Sequence, residues 1–386
     1  MIRSSKLSTK FSNYVKQDNI IKFIEEYKKI TQEFINLIWE LDKIPTLLPK
    51  EITSQVKTWL SARAIQCSAK QASGIVRGTR KKQSKRQFIY NKLVEQGCYK
   101  KARKLKSIID KAKISCPQLN NICPELDSRF IKIDQDNNTS FDIWITISSI
   151  GNKLKIQIPL KKTKHFNSLK GKLLQGIRLS EKAITFMFEN VVQNKENGIT
   201  LGLDIGSKTL ASLSDGQVTK NDLHGWNLDL INKKLSKKKK GSKSFKKTQT
   251  HRNNHINWSL NQLNLNKCKE LKIEDIKNLR KGKKSSRYLS HWTYTLIYNK
   301  LEQFCESLGV QVTKINPTYT SQRCSQCGWV RKSNRNGKQF KCDKCGFQHD
   351  ADLNASINIA LNLRQISQKE RLLHKNKTGF YWNEVI

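Results

Sequence analysis

Cys324-Ser325-Gln326-Cys327-Gly328 and Cys342-Asp343-Lys344-Cys345-Gly346, followed at once by Asp350-Ala351-Asp352-Leu353-Asn354-Ala355, decide how the last third of this sequence folds. Two Cys-x-x-Cys pairs fourteen residues apart have close to the spacing of a four-cysteine zinc ribbon. The glycine after each pair permits the tight turn that brings backbone N–H groups toward the thiolates. Free or disulfide-bonded cysteines are the competing reading, and a reducing compartment disfavours it. Four thiolates leave no open coordination position, so the zinc expected here is structural. Arg323, Arg331, Lys332, Arg335, Lys338 and Lys341 make the ribbon basic, so contact with nucleic acid is expected of it. Asp352 then opens a helix whose core stripe is Ala355, Ile359 and Leu363.

Working upstream, two more carboxylates stand on short apolar elements. Leu201-Gly202-Leu203-Asp204-Ile205-Gly206 reads as a buried strand, and Thr209 to Gly216 as its hairpin partner. Leu271-Lys272-Ile273-Glu274-Asp275-Ile276 places Glu274 at the end of another strand. His291 to Leu308 carries Ile297, Leu301, Phe304, Cys305 and Leu308 on one helical face and stops at Gly309; Val310 to Ile315 is a strand. A strand hairpin, strand, helix, strand and helix with acids on three of them is the order of a ribonuclease-H-like fold, with Asp204 central. Any one of these acids alone is equally well a satisfied polar residue or a turn former. As a set they suit Mg²⁺ or Mn²⁺, which take oxygen ligands and promote in-line phosphodiester hydrolysis.

The N-terminal half changes period midway. Ile20, Phe23, Ile24, Tyr27, Ile30, Phe34, Leu37, Ile38 and Leu41 predict a helix over about 18–41 with Asp18 as N-cap. Further helices are expected from about Glu51 to Ile75 and from Arg77 to Ala112. The last is rich in Arg80, Lys81, Lys82, Arg86, Lys100, Lys101, Arg103 and Lys104. A solvated face is one reading of that run, but few acids are there to pair with it, and a phosphate-tracking surface fits better. Alternating segments follow at Phe130–Ile133, Phe141–Ile147, Lys153–Ile158, Gly176–Leu179 and Ala183–Phe188, with turns at Asn137-Asn138 and Gly151-Asn152. They predict a small β domain, a barrel completed by a strand near Ile2, with the helices inserted. A lysine run from Lys233 to Lys247 is expected to be a mobile basic loop or helix. From about Gln365 periodicity is lost, and residues 366–386 are expected to be a disordered tail.

Composition narrows the function. The 386 residues include 73 basic against 31 acidic side chains, a formal net charge of +42. Self-repulsion of that size calls for a polyanion, and nucleic acid is the expected one. A membrane surface fits less well because no basic amphipathic helix stands out. With no signal-like or 18-residue apolar run, the chain is expected to be neither exported nor membrane-spanning, and so cytoplasmic. Cys67, Cys98, Cys116, Cys123, Cys268 and Cys305 are scattered and read as small core or surface residues.

Taken together, Gly202 to Lys208, Ile273 to Ile276, Tyr319 to Gly328 and Asp350 to Ala355 resemble TnpB, the RNA-guided nuclease of prokaryotic insertion sequences, related to the small type V CRISPR effectors. The likeness is strong from about Ile199 to Leu363 and loose upstream. It implies a multidomain α+β chain. A wedge β-barrel (1–15 and 126–195) would carry an inserted helical recognition domain (16–125). A RuvC-like nuclease domain (196–317 and 349–365) would carry a zinc-ribbon, target-nucleic-acid-binding insertion (318–348). It further implies a catalytic, Mg²⁺-binding triad of Asp204, Glu274 and Asp352, with zinc on Cys324, Cys327, Cys342 and Cys345. The implied partners are a guide RNA and double-stranded DNA, with no obligate protein partner. The activity implied is DNA cleavage directed by a transposon-derived guide beside a short target-adjacent motif. A CRISPR effector, an RNA-guided binder without cleavage and a strand transferase are the alternatives. Two departures limit the transfer: the family's Asp-Arg-Asp approach to the last acid has Ala351 in place of the arginine, and the N terminus lacks a close match, which leaves the residues reading the target-adjacent motif unassigned.

Overall fold

The structure, a computed structural model, describes residues 1–45, 48–111, 115–135, 139–206, 209–276, 293–375 and 379–384. The expected turn at Asn137-Asn138, motif residues Ser207 and Lys208, and the helix start at His291 lie outside them. The chain divides into two compact units, Met1–Val191 and Val192–Ile386.

In the first unit the order is β1 (Ile2–Ser8), α1 (Tyr14–Trp39), α2 (Lys50–Thr53), α3 (Ala62–Glu95), α4 (Tyr99–Lys111), β2 (Glu125–Leu126), β3 (Ile131–Asp134), β4 (Ile143–Ile147), β5 (Ile156–Leu160), α5 (Lys164–Ser168), β6 (Lys172–Ser180) and β7 (Ala183–Glu189). Its strands form two sheets, β1-β7-β6-β2 and β3-β4-β5, whose pairings are all antiparallel. The N-terminal strand does join the later strands, pairing with β7 from Ile2↔Glu189 to Ser8↔Ala183. Alternation explains the shared core. In β4, Ile143, Ile145 and Ile147 are buried, while Trp144 and Thr146 face outward. Phe23, Tyr27 and Phe34 of α1 enter the same core as Ile145, Ile158, Ile184 and Phe186.

Helix boundaries differ from the sequence expectation at the starts of α1 and α3, in the absence of a break near residue 76, and in a break between Glu95 and Tyr99 within the helix expected over 77–112. Helix α1 starts a turn early because the Asn13 side chain accepts a hydrogen bond from the Lys16 N–H at 3.0 Å; Asp18 instead pairs with Lys22 at 2.7 Å. Helix α3 starts only at Ala62, where Ser61 caps the Ala64 N–H and donates its own N–H to the Ile150 carbonyl. It then runs unbroken to Glu95, because nothing near residue 76 stops it: neither Gly74 nor Gly78 is crowded, and no proline intervenes.

The second unit contains β8 (Ile199–Asp204), β9 (Ser212–Leu213), α6 (Leu228–Ser236), α7 (Lys243–Leu260), β10 (Cys268–Glu274), α8 (Tyr294–Leu308) and β11 (Gln311–Ile315). After these come β12 (Trp329–Val330), β13 (Arg335–Asn336), β14 (Gln339–Lys341), β15 (Gln348–Asp350), α9 (Ala351–Ala360), α10 (Gln368–Lys375) and β16 (Phe380–Tyr381). The main sheet is ordered β11-β10-β8-β9, with β8 and β11 parallel to β10 and β9 antiparallel to β8. The strand expected over 209–216 shrinks to the two residues of β9. The lysine run is partly helical, spanning the end of α6 and the start of α7.

Strand parity positions the chemistry. Leu201 and Leu203 of β8, and Leu271 and Ile273 of β10, share a core with Ile297, Leu301 and Cys305 of α8. The intervening residues Gly202, Asp204, Lys272 and Glu274 therefore face the other side, where α9 packs. A Cβ built on Gly202 would lie 2.1 Å from the Ser356 carbonyl oxygen and 2.4 Å from the Ala360 nitrogen. Both are helix backbone, so α9 lies flush on β8 only because residue 202 lacks a side chain. Gly202→Ala should cost about 1–3 kcal/mol through overpacking, read as a lower melting temperature. An unchanged melting temperature would show that α9 can retreat freely.

The tail is ordered where it is described, which corrects the expectation for residues 366–386. Its strand β16 pairs with β12 of the ribbon (Trp329↔Tyr381, Val330↔Phe380), and Trp382 is buried. A two-residue strand is too short to register as periodicity, and its partner lies about fifty residues away in sequence.

Candidate functional site

Asp204 ends a central strand, Glu274 ends its parallel neighbour, and Asp352 begins α9 on the face both acids point toward. The start of α9 is fixed by Asp350, whose carboxylate accepts from the N–H groups of Asp352 (2.9 Å) and Leu353 (3.0 Å). Its C-terminal end is held by buried Lys272, which donates to the carbonyls of Ala360 (2.9 Å) and Leu361 (3.3 Å). The strand that carries Glu274 thus also anchors the helix that carries Asp352.

The acids feel one another. Burial, then the nearby charges of Glu274 and Asp352, push the Asp204 carboxyl up to about 7. Burial also raises Glu274, against the Thr320 hydroxyl that donates to its Oε1 and the positive charge of Arg335. The Tyr294 hydroxyl steadies this strand end by donating to the Glu274 backbone carbonyl at 2.6 Å. Asp352 is 6% exposed and paired to two cations from the ribbon: Arg335 Nη2 donates to Oδ1 at 2.7 Å, and Lys338 Nζ contacts Oδ2. Lys338 also donates to the Thr209 hydroxyl. Arg335 and Lys338 stand out in sequence only as part of a basic ribbon, and Thr320, Tyr294 and Thr209 carry no signal there.

A raised carboxyl has a signed consequence. Between about pH 4 and 7 the folded chain holds a proton on Asp204 that the unfolded chain has lost. The associated stability is therefore complete below pH 4 and disappears as pH rises through 7. In magnesium-free buffer the fall in melting temperature between pH 5 and pH 8 should be smaller for Asp204→Asn than for the unaltered chain. Equal falls would contradict the shift.

The four cysteines come together as expected. Cys324 Sγ lies 3.7 Å from Cys345 Sγ, and Cys327 Sγ lies 3.7 Å from Cys342 Sγ. Among the described residues, these four are the only group of three or more His, Cys, Asp or Glu side chains placed to share a metal ion, with ligand atoms all within 4.8 Å of one another. A tetrahedron of Zn–S bonds of about 2.3 Å sets sulfurs roughly 3.8 Å apart, so the cluster fits zinc. Both knuckles repeat one turn: Gly328 (φ 78°) donates to Cys324 O and Gly346 (φ 74°) to Cys342 O, each at 3.0 Å. Those positive φ values suit glycine. The carboxylates are near enough to interact electrostatically without forming so tight a cage.

Two expected nucleic-acid contacts are turned inward. Arg80 donates to the carbonyls of Trp39 and Leu41 at 2.7 Å and of Asp42 at 3.1 Å, clamping the end of α1. Arg323 is 5% exposed; it donates to Trp382 O at 2.6 Å, Asn358 Oδ1 at 2.7 Å and Cys324 O at 3.2 Å. Half-buried Arg80 thus locks a helix end, and buried Arg323 the ribbon–tail junction. Lys81, Lys82, Lys100, Lys101, Arg103 and Lys104 remain exposed, and Arg86 is half-buried.

Comparison with known proteins finds similarity mainly in the second unit. Residues 294–359, from the start of α8 through most of α9, match the family described as "Cas12f1-like, TNB domain". Among individual relatives, the chain is 33% identical over 158 residues to the CRISPR-associated endodeoxyribonuclease Cas12f1 of Sulfoacidibacillus thermotolerans, covering 41% of this chain and 36% of that one. It is 30% identical over 177 residues to a Streptomyces pristinaespiralis protein named as a candidate RNA-guided DNA endonuclease, covering 41% and 44%. A TnpB-like protein of Aquifex aeolicus shares 33% identity over 93 residues, 22% of this chain and 30% of that one. The matches thus span less than half the length of each of these relatives. Among the described residues, no helix is long and apolar enough to cross a membrane.

Proposed function

We propose that this chain is a metal-dependent, RNA-guided DNA endonuclease. The observation that carries the reading is the mutual placement of Asp204, Glu274 and Asp352 on one face of a mixed sheet, close enough for Asp204 to respond to both other charges. In this reading the second unit is a RuvC-like domain with a zinc-ribbon insertion, and the first is a wedge-like β-barrel with inserted helices. Hard divalent cations, Mg²⁺ or Mn²⁺, would be held by the three carboxylates and would activate water and stabilise the leaving oxygen. The chain's own part is positional. Asp350 and Lys272 fix both ends of α9 and hence Asp352, while Thr320 and Tyr294 hold the Glu274 strand end. Lys338 and Arg335 neutralise Asp352 and would have to share it with an incoming cation. The four cysteines would bind one structural zinc.

The relatives' names supply the guide: a net charge of +42 suits a chain wrapped on RNA and DNA, with sequence read by base pairing. The test is to purify the full chain from its native locus, sequence the RNA that accompanies it, and assay cleavage of matched duplex DNA with Mg²⁺. Transposon-end RNA with cleavage supports a TnpB-type guide, and repeat-derived RNA a CRISPR-type guide. RNA with no cleavage would leave a guided binder, and absence of RNA would overturn the proposal.

A further inference from the structure

The first unit presents an aromatic cluster that its core does not use. Trp144 occupies an outward position of β4, between core residues Ile143 and Ile145. Its ring meets Phe141 edge-on with centroids 5.7 Å apart, and Phe141 meets Phe11, from the β1–α1 connection, at 5.5 Å. Phe11 is 40% exposed, and Tyr14, on the first turn of α1, is 82% exposed. Phe141 and Trp144 are half-buried, so each keeps part of its ring in solvent.

A lysine stands over each ring of this row. Lys10 Nζ lies 4.9 Å from the Phe11 centroid, Lys161 Nζ 5.8 Å from Phe141 and Lys16 Nζ 5.7 Å from Trp144. These cations come from the β1–α1 connection, the first turns of α1 and the residue after β5. The carboxylate of Asp142, next to Phe141, is turned to the Lys162 backbone N–H at 2.7 Å. The Trp144 indole N–H is already satisfied by the Thr139 hydroxyl at 2.9 Å, which fixes the ring; a base stacking on it would displace the flexible Lys16 ammonium toward the strand's phosphates. Rings interleaved with cations are the chemistry that binds single strands: bases stack on the rings and phosphates pair with the ammonium groups.

We propose that Phe11, Phe141 and Trp144, flanked by Lys10, Lys16 and Lys161, form a stacking platform for unpaired bases of a nucleic-acid strand. This goes beyond the nuclease reading, because the surface lies wholly in the unit that lacks the acids. It requires only that the chain handles nucleic acid. The lysines set affinity for the backbone, and the rings distinguish an unpaired strand from a duplex, whose bases are hidden.

The test separates rings from charge. Full-length protein in metal-free buffer is titrated, by fluorescence anisotropy, with equal-length strands of oligouridine, oligodeoxythymidine and an abasic sugar-phosphate chain. The base-bearing strands should bind at least about tenfold tighter than the abasic one, the scale of one to two stacked bases. The double variant Phe141→Ala/Trp144→Ala should lose that preference while keeping its abasic affinity and salt dependence. Trp144→Tyr, which keeps a ring, should retain most of it. A preference for oligouridine assigns the platform to RNA, and equal binding of the two base-bearing strands assigns it to any unpaired strand. Equal binding of base-bearing and abasic strands by the unaltered chain, or a full preference in the double variant, would overturn the proposal. Because no cleavage is read, failure here leaves the nuclease reading untouched.

Discussion

Asp204→Ala is expected to reduce DNA cleavage by at least about 10³-fold, with guide RNA still bound and the melting temperature unchanged or raised. The loss follows from removing the carboxylate that sits between the other two, on a scale typical of a single electrostatic catalytic group. The stability gain is less intuitive. Burial and two neighbouring negative charges disfavour the ionised Asp204, pushing it to about 7, so the folded chain bears a cost at this position that alanine removes. A functional group that destabilises its own fold is the usual exchange of stability for activity. Cleavage kinetics, retained RNA and a thermal scan on one preparation check all three points. Loss of RNA along with cleavage would mean that Asp204 supports the fold and is not simply a reacting group.

Cys342→Ser is expected to bring zinc to background and to lose cleavage by another route. The four sulfurs are arranged for one tetrahedral ion, and zinc affinity in such sites is folding energy, about 10–16 kcal/mol in small zinc domains. Here the knuckle is continuous with the acid site. Strand β14 pairs with β15, β15 leads directly into α9, and the Ala351 N–H donates to the Lys338 carbonyl at 2.8 Å. Collapse of the knuckle should therefore release Lys338 and Arg335 from Asp352 and misplace the helix start. Metal content by mass spectrometry together with cleavage assays tests this, with Cys305→Ser, in the helix–sheet core, as control. Unchanged zinc in Cys342→Ser would refute the ligand assignment.

Much of this site was legible in the sequence because its signals are local. Cys-x-x-Cys spacing, an acid closing a short apolar strand and an aspartate opening a helix are each readable within ten residues. Alternation likewise marked β4, β6 and β7, whose buried residues recur at every second position. The partners of single basic residues are less legible. The sequence cannot show that Arg80 also clamps backbone carbonyls 38 to 41 positions away, or that Arg323 also holds the Trp382 carbonyl 59 positions away. The same non-locality hid Thr320, which reaches Glu274 across 46 positions, and Thr209, which meets Lys338 across 129. The two-residue strands β9, β12 and β16 owe their existence to a partner strand and have no pattern of their own.

The pairing of β16 with β12 bears on the order in which the molecule is made. Domains form as the chain emerges, N-terminal parts first. Asp204 and Glu274 can therefore settle into their sheet well before residue 380 emerges, but the ribbon obtains its outer strand only from residues 380–381. Arg323 likewise waits for the Trp382 carbonyl before its guanidinium is satisfied. Residues 380–382 thus close the junction between ribbon and Asp352 helix, so a chain that has emerged only as far as α9 holds all three acids and all four cysteines around an unfinished ribbon edge.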